Sequence, residues 1–288
     1  MPIYDIDGNQ LAHAYDIDGN ELSTAYDIDG NVIYTAESPV IKVMTYNVGG
    51  WYDGGGTNVP TSKDEAYYQI QNGIFENNNV DVLCMQEYMT QFSDTRTAES
   101  VLSPYFTYRN CRQVGTYYGR GICSKYELSD YTVSTYTDDV NRYYDKAYIN
   151  VGGRHVAVFT THFDPHSFEN RKLEVQQLIT ALSNEEYFIC CGDYNVLTIR
   201  TDSEAITETD DYVHIVTPLL NAGFHCANWS DNGFIPTMGR VTPLACIDGI
   251  ITSSNIDVLN VYTDASKVGN PVVEYVDHIP FIATLQIN

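Results

Sequence analysis

The feature that most constrains this chain is a series of short apolar segments, each bordered by a polar residue capable of acid–base or metal chemistry. From residue 41 onward, strand-like segments alternate with helical ones. The bordering residues are Asn47, Glu87, His162, Asp193, Asn195, Asp248, Asp277 and His278. In α/β architectures, side chains beyond the ends of strands converge on ligands. We therefore expect these residues to meet in one site.

The order of segments predicts an α/β (α+β) fold in which two packed sheets form a sandwich flanked by helices. The predicted strands are Ile41–Val48, Val80–Glu87, Ala147–Val151, His155–Thr161, Tyr187–Cys191, Cys246–Ile251, Val258–Tyr262 and Phe281–Ile287. Helical spacing predicts helices over Ser62–Asn77 and Phe168–Leu182. The glycine pair at residues 152–153 predicts a hairpin between the third and fourth strands.

An 11-residue repeat occupies the start of the chain, with copies beginning at Tyr4, Tyr15 and Tyr26. Each copy begins with YDIDGN, whose Asp-Gly pair favours a hairpin turn. A calcium loop of the EF-hand type needs its glycine at the sixth position, whereas here it is the fourth of Asp-x-Asp-Gly. Hairpins this small are marginally stable alone. We therefore predict that residues 1–38 form an attachment or oligomerisation arm, contacting another protein, a virion or a second copy, and that 39–288 form the main domain.

The charge of the chain excludes a protein that holds nucleic acid on a broad basic face. Thirty-eight acids against 15 bases give a net charge of −23, so few phosphates can be neutralised by side chains. A bound cation would invert this field locally. The seven cysteines do not suggest a disulfide framework and are expected to be free thiols. Neither a signal peptide nor a membrane span is predicted, so a cytoplasmic or particle-associated protein, possibly on a phage virion, is expected.

An asparagine, several carboxylates and two histidines are the groups that bind a hard divalent cation and supply acid–base help. The motifs TYNV (45–48), MQE (85–87), THFD (161–164), GDYN (192–195), IDGI (247–250) and VDHIP (276–280) occur in this order. Together they resemble the endonuclease/exonuclease/phosphatase superfamily, which has the DNase I-like fold, over residues 39–288. The family usually has serine where this chain has Val276.

The resemblance implies a role for each motif residue. Glu87 would be the main Mg²⁺ ligand, with Asn47 and Asp277 completing or bordering the site, and Mn²⁺ could substitute. Asp193, beside Asn195, would orient or deprotonate the attacking water. His278, held by Asp248, and His162 would face the phosphate. Tyr118 matches a family position that approaches the phosphate, although Tyr117 is adjacent.

The resemblance thus implies a divalent-metal-dependent phosphoesterase, and we expect a phosphodiesterase that hydrolyses nucleic acid. Sphingomyelinase-like activity, small-molecule phosphatase activity and an inactive, particle-attached binding module stay open, because members of one fold change substrate through their loops. The bases expected nearest the substrate groove are Lys63, Arg109, Arg112, Arg120, Arg171 and Arg240.

Overall fold

The computed structural model describes residues 24–26, 32–35, 38–51, 61–92, 96–114, 117–137, 142–196, 211–230, 233–238, 245–266 and 277–288. The chain divides into two units, Met1–Pro39 and Val40–Asn288. In the first unit, β1 (Thr24–Tyr26) and β2 (Val32–Thr35) pair antiparallel, and Ala25 lies opposite Tyr34. Residues 1–23 and 27–31, which include the Asp-Gly pairs of all three repeats, lie outside the described residues, so the hairpin turns proposed for the repeats stay a prediction.

Two six-stranded sheets form the second unit. Sheet I contains β3 (Val40–Asn47), β4 (Val82–Tyr88), β5 (Tyr108–Val114), β6 (Tyr117–Ser124), β15 (Ile256–Thr263) and β16 (Phe281–Ile287), in the order β15-β16-β3-β4-β6-β5. Sheet II contains β7 (Ser129–Thr135), β8 (Tyr143–Val151), β9 (Arg154–His162), β10 (Phe188–Asp193), β11 (His225–Cys226) and β14 (Asp248–Thr252), in the order β11-β14-β10-β9-β8-β7. A small ribbon pairs β12 (Trp229–Ser230) with β13 (Gly233–Phe234).

The helices cover the outer faces of the two sheets. They are α1 (Thr61–Asn78), α2 (Ala98–Leu102), α3 (Phe168–Leu182) and α4 (Thr217–Asn221). A π-helical turn at Tyr212–Val216 precedes α4, and a 3₁₀ turn spans Gly49–Trp51. Ile74 and Phe75 of α1 pack in one core with Leu83 of β4. Leu178 of α3 packs in another with Phe188 of β10. The predicted sandwich of two sheets flanked by helices is therefore confirmed.

A third core fills the space between the sheets. Val43 and Cys84 of sheet I share it with Val158 and Cys191 of sheet II. Strands β3 and β4 are buried on both faces, which explains why they appear as continuous apolar runs rather than as alternating ones. This packing brings the ends of the central strands of both sheets together, and those ends carry the polar residues.

Several local predictions can be compared with the structure directly. The bounds predicted for α3 and β16 are confirmed, and the hairpin at residues 152–153 joins β8 to β9. The strand predicted from Cys246 begins instead at Asp248. Strands β5, β6 and β7 were not predicted, since segments such as SDYTVST of β7 are half-exposed and lack a clear apolar alternation. All seven cysteines are free, as predicted. Among the described residues, no helix has the length and apolarity to cross a membrane.

Candidate active site

Three neighbouring strands of sheet II place a catalytic-type side chain at the same level. In the register of the sheet, Asp193 of β10 lies between His162 of β9 and Asp248 of β14. Strands β9 and β10 are parallel, so both end at this edge, and β14 begins there because it is antiparallel. The carboxylate of Asp193 lies 3.5 Å from Nε2 of His162. The strand-end residues of this sheet therefore meet, as the sequence predicted.

Sheet I faces this row with Asn47 at the end of β3. Its Nδ2 donates to Oε1 of Glu87 at 3.1 Å and to Oδ2 of Asp193 at 2.9 Å. The backbone amide of Gly49 donates to Oδ1 of Asn47 at 2.9 Å and fixes the orientation of the side-chain amide. Asn47 thus links the carboxylates of the two sheets as a hydrogen-bond donor. In this arrangement it borders the acidic cluster and does not direct its oxygen toward it.

Glu87 reaches the cluster because the backbone of β4 is irregular at this residue. The pairing of β4 with β6 shifts register between Gln86 and Tyr88, so Glu87 is the extra residue of a bulge. Its φ of 54° lies in the left-handed region, which costs a non-glycine residue roughly 1 kcal/mol or more. Gln86, one residue earlier, turns its side chain into the sandwich, where Nε2 donates to the hydroxyl of Thr160 at 3.0 Å. The bulge therefore re-aims Glu87 at the end of the strand.

His278 and Asp248 form a buried pair. Nδ1 of His278 lies 2.9 Å from Oδ2 of Asp248, and Nε2 lies 3.6 Å from Oδ2 of Asp193. Burial alone would lower the pKa of His278, but Asp248 and Asp193 outweigh it and raise the pKa from 6.5 to about 10. The hydroxyl of Thr237 accepts from the backbone amide of Asp248 at 3.0 Å and holds the start of β14. His278 is therefore a cation at neutral pH, fixed by its carboxylate partner.

Asp193, unlike His278, is shifted toward its neutral form. Burial and the nearby charge of Asp248 raise its pKa from 3.8 to about 7, although His278 and the Asn47 hydrogen bond favour the ionised form. The backbone amide of Asn195 donates to Oδ1 of Asp193 at 3.0 Å, and the side chain of Asn195 donates to the carbonyl of Phe163 at 2.9 Å. Asn195 thus braces Asp193 from behind. A carboxyl group with a pKa near neutrality is suited to accept a proton from water.

His162 is neutral, in contrast to His278. Burial, together with the positive charges of Arg142 and Arg120, holds the pKa of His162 well below 6.5. Nη2 of Arg120 donates to the carbonyl of His162 at 3.0 Å, and Nη1 of Arg142 lies 3.5 Å from the same oxygen. The nearness of Asp193 does not overcome these effects. Two histidines of the same cluster therefore differ in charge because one pairs with a carboxylate and the other lies beside arginines.

Arg142 is a site residue that the sequence analysis missed. It is half-buried, and its positive charge lowers the pKa of both Glu87 and His162. The predicted hairpin contained the signal: continuing its antiparallel register places Tyr144 opposite Thr161, so the residues before Tyr144 lie beside His162. An arginine at residue 142 therefore belongs at the same edge as the acidic cluster.

Asp277 and Tyr118 complete the predicted set. Oδ1 of Asp277 lies 3.9 Å from Nε2 of His278, and its charge contributes to raising the pKa of Glu87, whose largest cause is burial. The backbone of Tyr118 lies in β6, but its side chain is outside the described part of the structure, so its approach to phosphate stays a prediction.

Two of the arginines expected near a substrate groove serve other purposes. Arg171 is buried and forms a bidentate ion pair with Asp211 at 2.8 and 3.0 Å. It also donates to the carbonyl of Asp164 at 2.8 Å, so it holds together the loop after His162. Arg109 pairs with Glu99 at 2.5 Å. The expectation that Arg171 faces substrate is therefore wrong. The side chains of Lys63 and Arg240 lie outside the described residues.

The donor set fits a hard divalent cation. Ligand atoms of Glu87, His162 and Asp193 lie within 4.8 Å of one another, and so do those of Asp193, Asp248 and His278. The first group includes the buried carboxylate of Asp193 and the half-buried carboxylate of Glu87, and desolvation is the largest cause that raises the pKa of both. A cation coordinated by their oxygens would favour the ionised form of both groups. Glu87 and Asp193, with Asp277 nearby, are therefore the residues that could hold a divalent cation.

Comparison with known proteins agrees with this geometry at the level of fold. An endonuclease/exonuclease/phosphatase family protein from Beutenbergia cavernae superposes with a TM-score of 0.64 at 15% identity, covering 86% of this chain and 72% of that one. A family protein from Bacteroides vulgatus gives 0.62 at 18% identity, covering 87% and 100%. D. rerio TDP2, in complex with a single-strand DNA product, gives 0.62 at 10% identity, covering 86% and 99%.

No curated protein matches the chain significantly. The model of the Endonuclease/Exonuclease/phosphatase family, however, matches residues 44–269, well over half of the chain and all the site residues except Asp277 and His278. This chain therefore belongs to the endonuclease/exonuclease/phosphatase family.

Proposed function

We propose that this protein is a divalent-metal-dependent phosphodiesterase that hydrolyses nucleic acid with water activated by Asp193. The observation that carries the proposal is the position of the Asp193 carboxylate. It lies about equally far from a neutral and a charged histidine, at 3.5 and 3.6 Å, and Asn47 links it to Glu87. The groups that we propose as the base, the two phosphate-facing residues and the metal ligand thus lie within one cluster.

Each residue has a role consistent with its charge state. Asp193 orients the water and accepts its proton, since its pKa is near 7. His278, as a cation held by Asp248, stabilises negative charge on a non-bridging phosphoryl oxygen. His162 is neutral and faces the phosphate as a hydrogen-bonding group. Mg²⁺ bound by Glu87 would supply charge neutralisation of the same phosphoryl group.

Nucleic acid is favoured over other phosphate esters by one comparison. The D. rerio TDP2 structure, which shares the fold, was solved with a single-strand DNA product. Sphingomyelinase-like and small-molecule phosphatase activities are the alternatives, because the same site serves different substrates when the surrounding loops differ.

The test is a panel of substrates with controlled metal content. Purified protein is treated with EDTA and assayed on plasmid, single-stranded DNA, RNA, sphingomyelin and a phosphate monoester, with and without Mg²⁺ or Mn²⁺. We expect chelation to abolish hydrolysis and either cation to restore it. Glu87→Gln should lower turnover by orders of magnitude, whereas Glu127→Gln, at an exposed position, should not. Full activity after chelation would refute the mechanism, and turnover of sphingomyelin or the monoester alone would refute the substrate.

We also propose that residues 1–38 attach the enzyme to a partner protein, a particle or a second copy. The support is the repeat itself, whose three short hairpins would need a surface to pack against. All the catalytic-type residues lie outside it.

A further inference from the structure

Resting on the proposed phosphodiesterase activity, we infer that the enzyme recognises a compact substrate through a single phosphate. Its targets are short strands or strand ends, and the enzyme does not bind a long nucleic acid along its length. The inference rests on where the positive charges of the chain lie and on what neutralises them.

Most of the described cations are already neutralised. The chain has 15 lysines and arginines, and the side chains of 11 of them are described. Six of these 11 form ion pairs with carboxylates: Arg96–Glu65, Arg109–Glu99, Lys125–Asp81, Lys146–Glu185, Arg171–Asp211 and Lys172–Glu169. A phosphate that competed for one of these cations would have to displace its carboxylate. These six therefore make poor backbone contacts.

Two further cations point away from the site. Arg154 donates to the C-terminal backbone oxygen of Asn288 at 2.7 Å and begins β9, eight residues or about 26 Å before His162. Lys42 lies near the start of β3 and donates to the carbonyl of Asn78 at 3.3 Å. Neither can help to bind a substrate whose phosphate sits at the strand ends.

Two other cations, both arginines, already make contacts with protein groups. Arg120 is buried, and its guanidinium lies 3.8 Å from the ring centre of Tyr143 while it donates to the carbonyl of His162. Arg112 lies over the same ring at 4.6 Å. Among the described residues this leaves Arg142 as the cation at the margin of the acidic cluster.

The stretches that carry the four other bases do not reverse this balance. Lys63, Arg200, Arg240 and Lys267 occur in the stretches 52–64, 197–210, 239–244 and 267–276. Together with the shorter stretches 93–95, 138–141 and 231–232, these contain 11 acids against those four bases. Counted from the sequence, these stretches carry a net charge of −7 and add no excess of positive charge to attract a polyanion.

The number of phosphates that the protein neutralises can be measured from the salt dependence of binding, because each neutralised phosphate releases counterions. For single strands, log K falls against log salt with a slope of roughly −0.7 per neutralised phosphate. One or two contacts give a slope of about −1, whereas a track of six contacts gives about −4. Shortening the substrate should therefore cost little once the reacting phosphate and its two neighbouring nucleosides are present.

The experiment measures kcat/KM at constant Mg²⁺ for oligothymidylates of 2, 4, 8, 16 and 30 nucleotides between 50 and 300 mM NaCl. Bis(p-nitrophenyl) phosphate serves as a probe with a single charge. In parallel, anisotropy with Ca²⁺ in place of Mg²⁺ measures the binding of labelled 4-mer and 30-mer. The variants are Arg142→Ala and, as a matched control, Lys172→Ala, whose side chain pairs with Glu169 on α3.

We expect kcat/KM per phosphodiester to be nearly constant beyond about four nucleotides, with a salt slope of about −1. Arg142→Ala should flatten that slope and Lys172→Ala should leave it unchanged. A kcat/KM that rises tenfold or more from the 4-mer to the 30-mer, or a slope of −4 or steeper, would overturn the inference. If no phosphodiester is hydrolysed, the proposed function fails. The anisotropy measurement then tests the inference by itself. Tight, salt-sensitive binding of the 30-mer contradicts single-phosphate recognition, and equal binding of both lengths supports it.

Discussion

Asp193 is suited to catalysis at a cost in stability, and replacing it by asparagine should expose that cost. Its pKa is about 7 in the folded protein against an ordinary value of 3.8. Because the folded state binds this proton more tightly than the unfolded chain, folding stability falls as pH rises from 3.8 to about 7 and is constant above that range. A shift of about three pH units corresponds to about 4 kcal/mol.

Asp193→Asn removes the titration and keeps the shape. One hydrogen bond is lost, because Asn47 and Asn195 both donate to the carboxylate and an amide offers a single acceptor oxygen. That loss costs about 1–2 kcal/mol at every pH. In metal-free buffer we therefore expect the variant to be less stable than wild type at pH 4 and more stable, by about 2 kcal/mol, at pH 7.5.

Urea unfolding in EDTA at several pH values between 4 and 7.5 measures the difference directly. Asp257→Asn, at an exposed position on β15, is the control and should show no comparable trend. Added Mg²⁺ should stabilise wild type more than Asp193→Asn, while kcat of the variant should fall by orders of magnitude. A stability difference that varies by less than about 1 kcal/mol across this pH range would refute the charge state assigned to Asp193.

Three further predictions follow from the same geometry. His278→Ala should lower kcat by about 10²–10⁴-fold, and Asp248→Asn by less, because Asp248 acts through the imidazole; equal losses in steady-state assays would contradict this. Deleting residues 1–38 should leave kcat on a small phosphodiester unchanged and alter the mass in solution or partner binding, measured by light scattering and pull-down; a loss of kcat would assign the arm to the site. Gly119→Ala should destabilise the protein by about 3 kcal/mol or more in urea unfolding, because its Cβ would lie 1.6 Å from the backbone oxygen of Arg112; a neutral effect would contradict the close approach of β5 and β6.

Tertiary contacts assign different charges to residues that look alike in the sequence. His162 and His278 both stand beside strands and both were expected to face phosphate. One is neutral beside Arg142 and Arg120, and the other is a cation beside Asp248. The charge of a buried histidine depends on groups within a few ångströms, and these lie 20 to 42 residues away along the chain.

The sequence by itself determined which residues meet. A buried strand is a short apolar run whose end is marked by the first polar residues, so membership of a strand-end site can be read locally, as it was for Asn47 and Asp193. Only the tertiary structure decided how they meet. The bulge that turns Glu87 toward the cluster depends on pairing with β6, a strand the pattern did not reveal, and Arg142 enters through the register of a hairpin. Orientation and charge arise from neighbours in space, which no local period encodes.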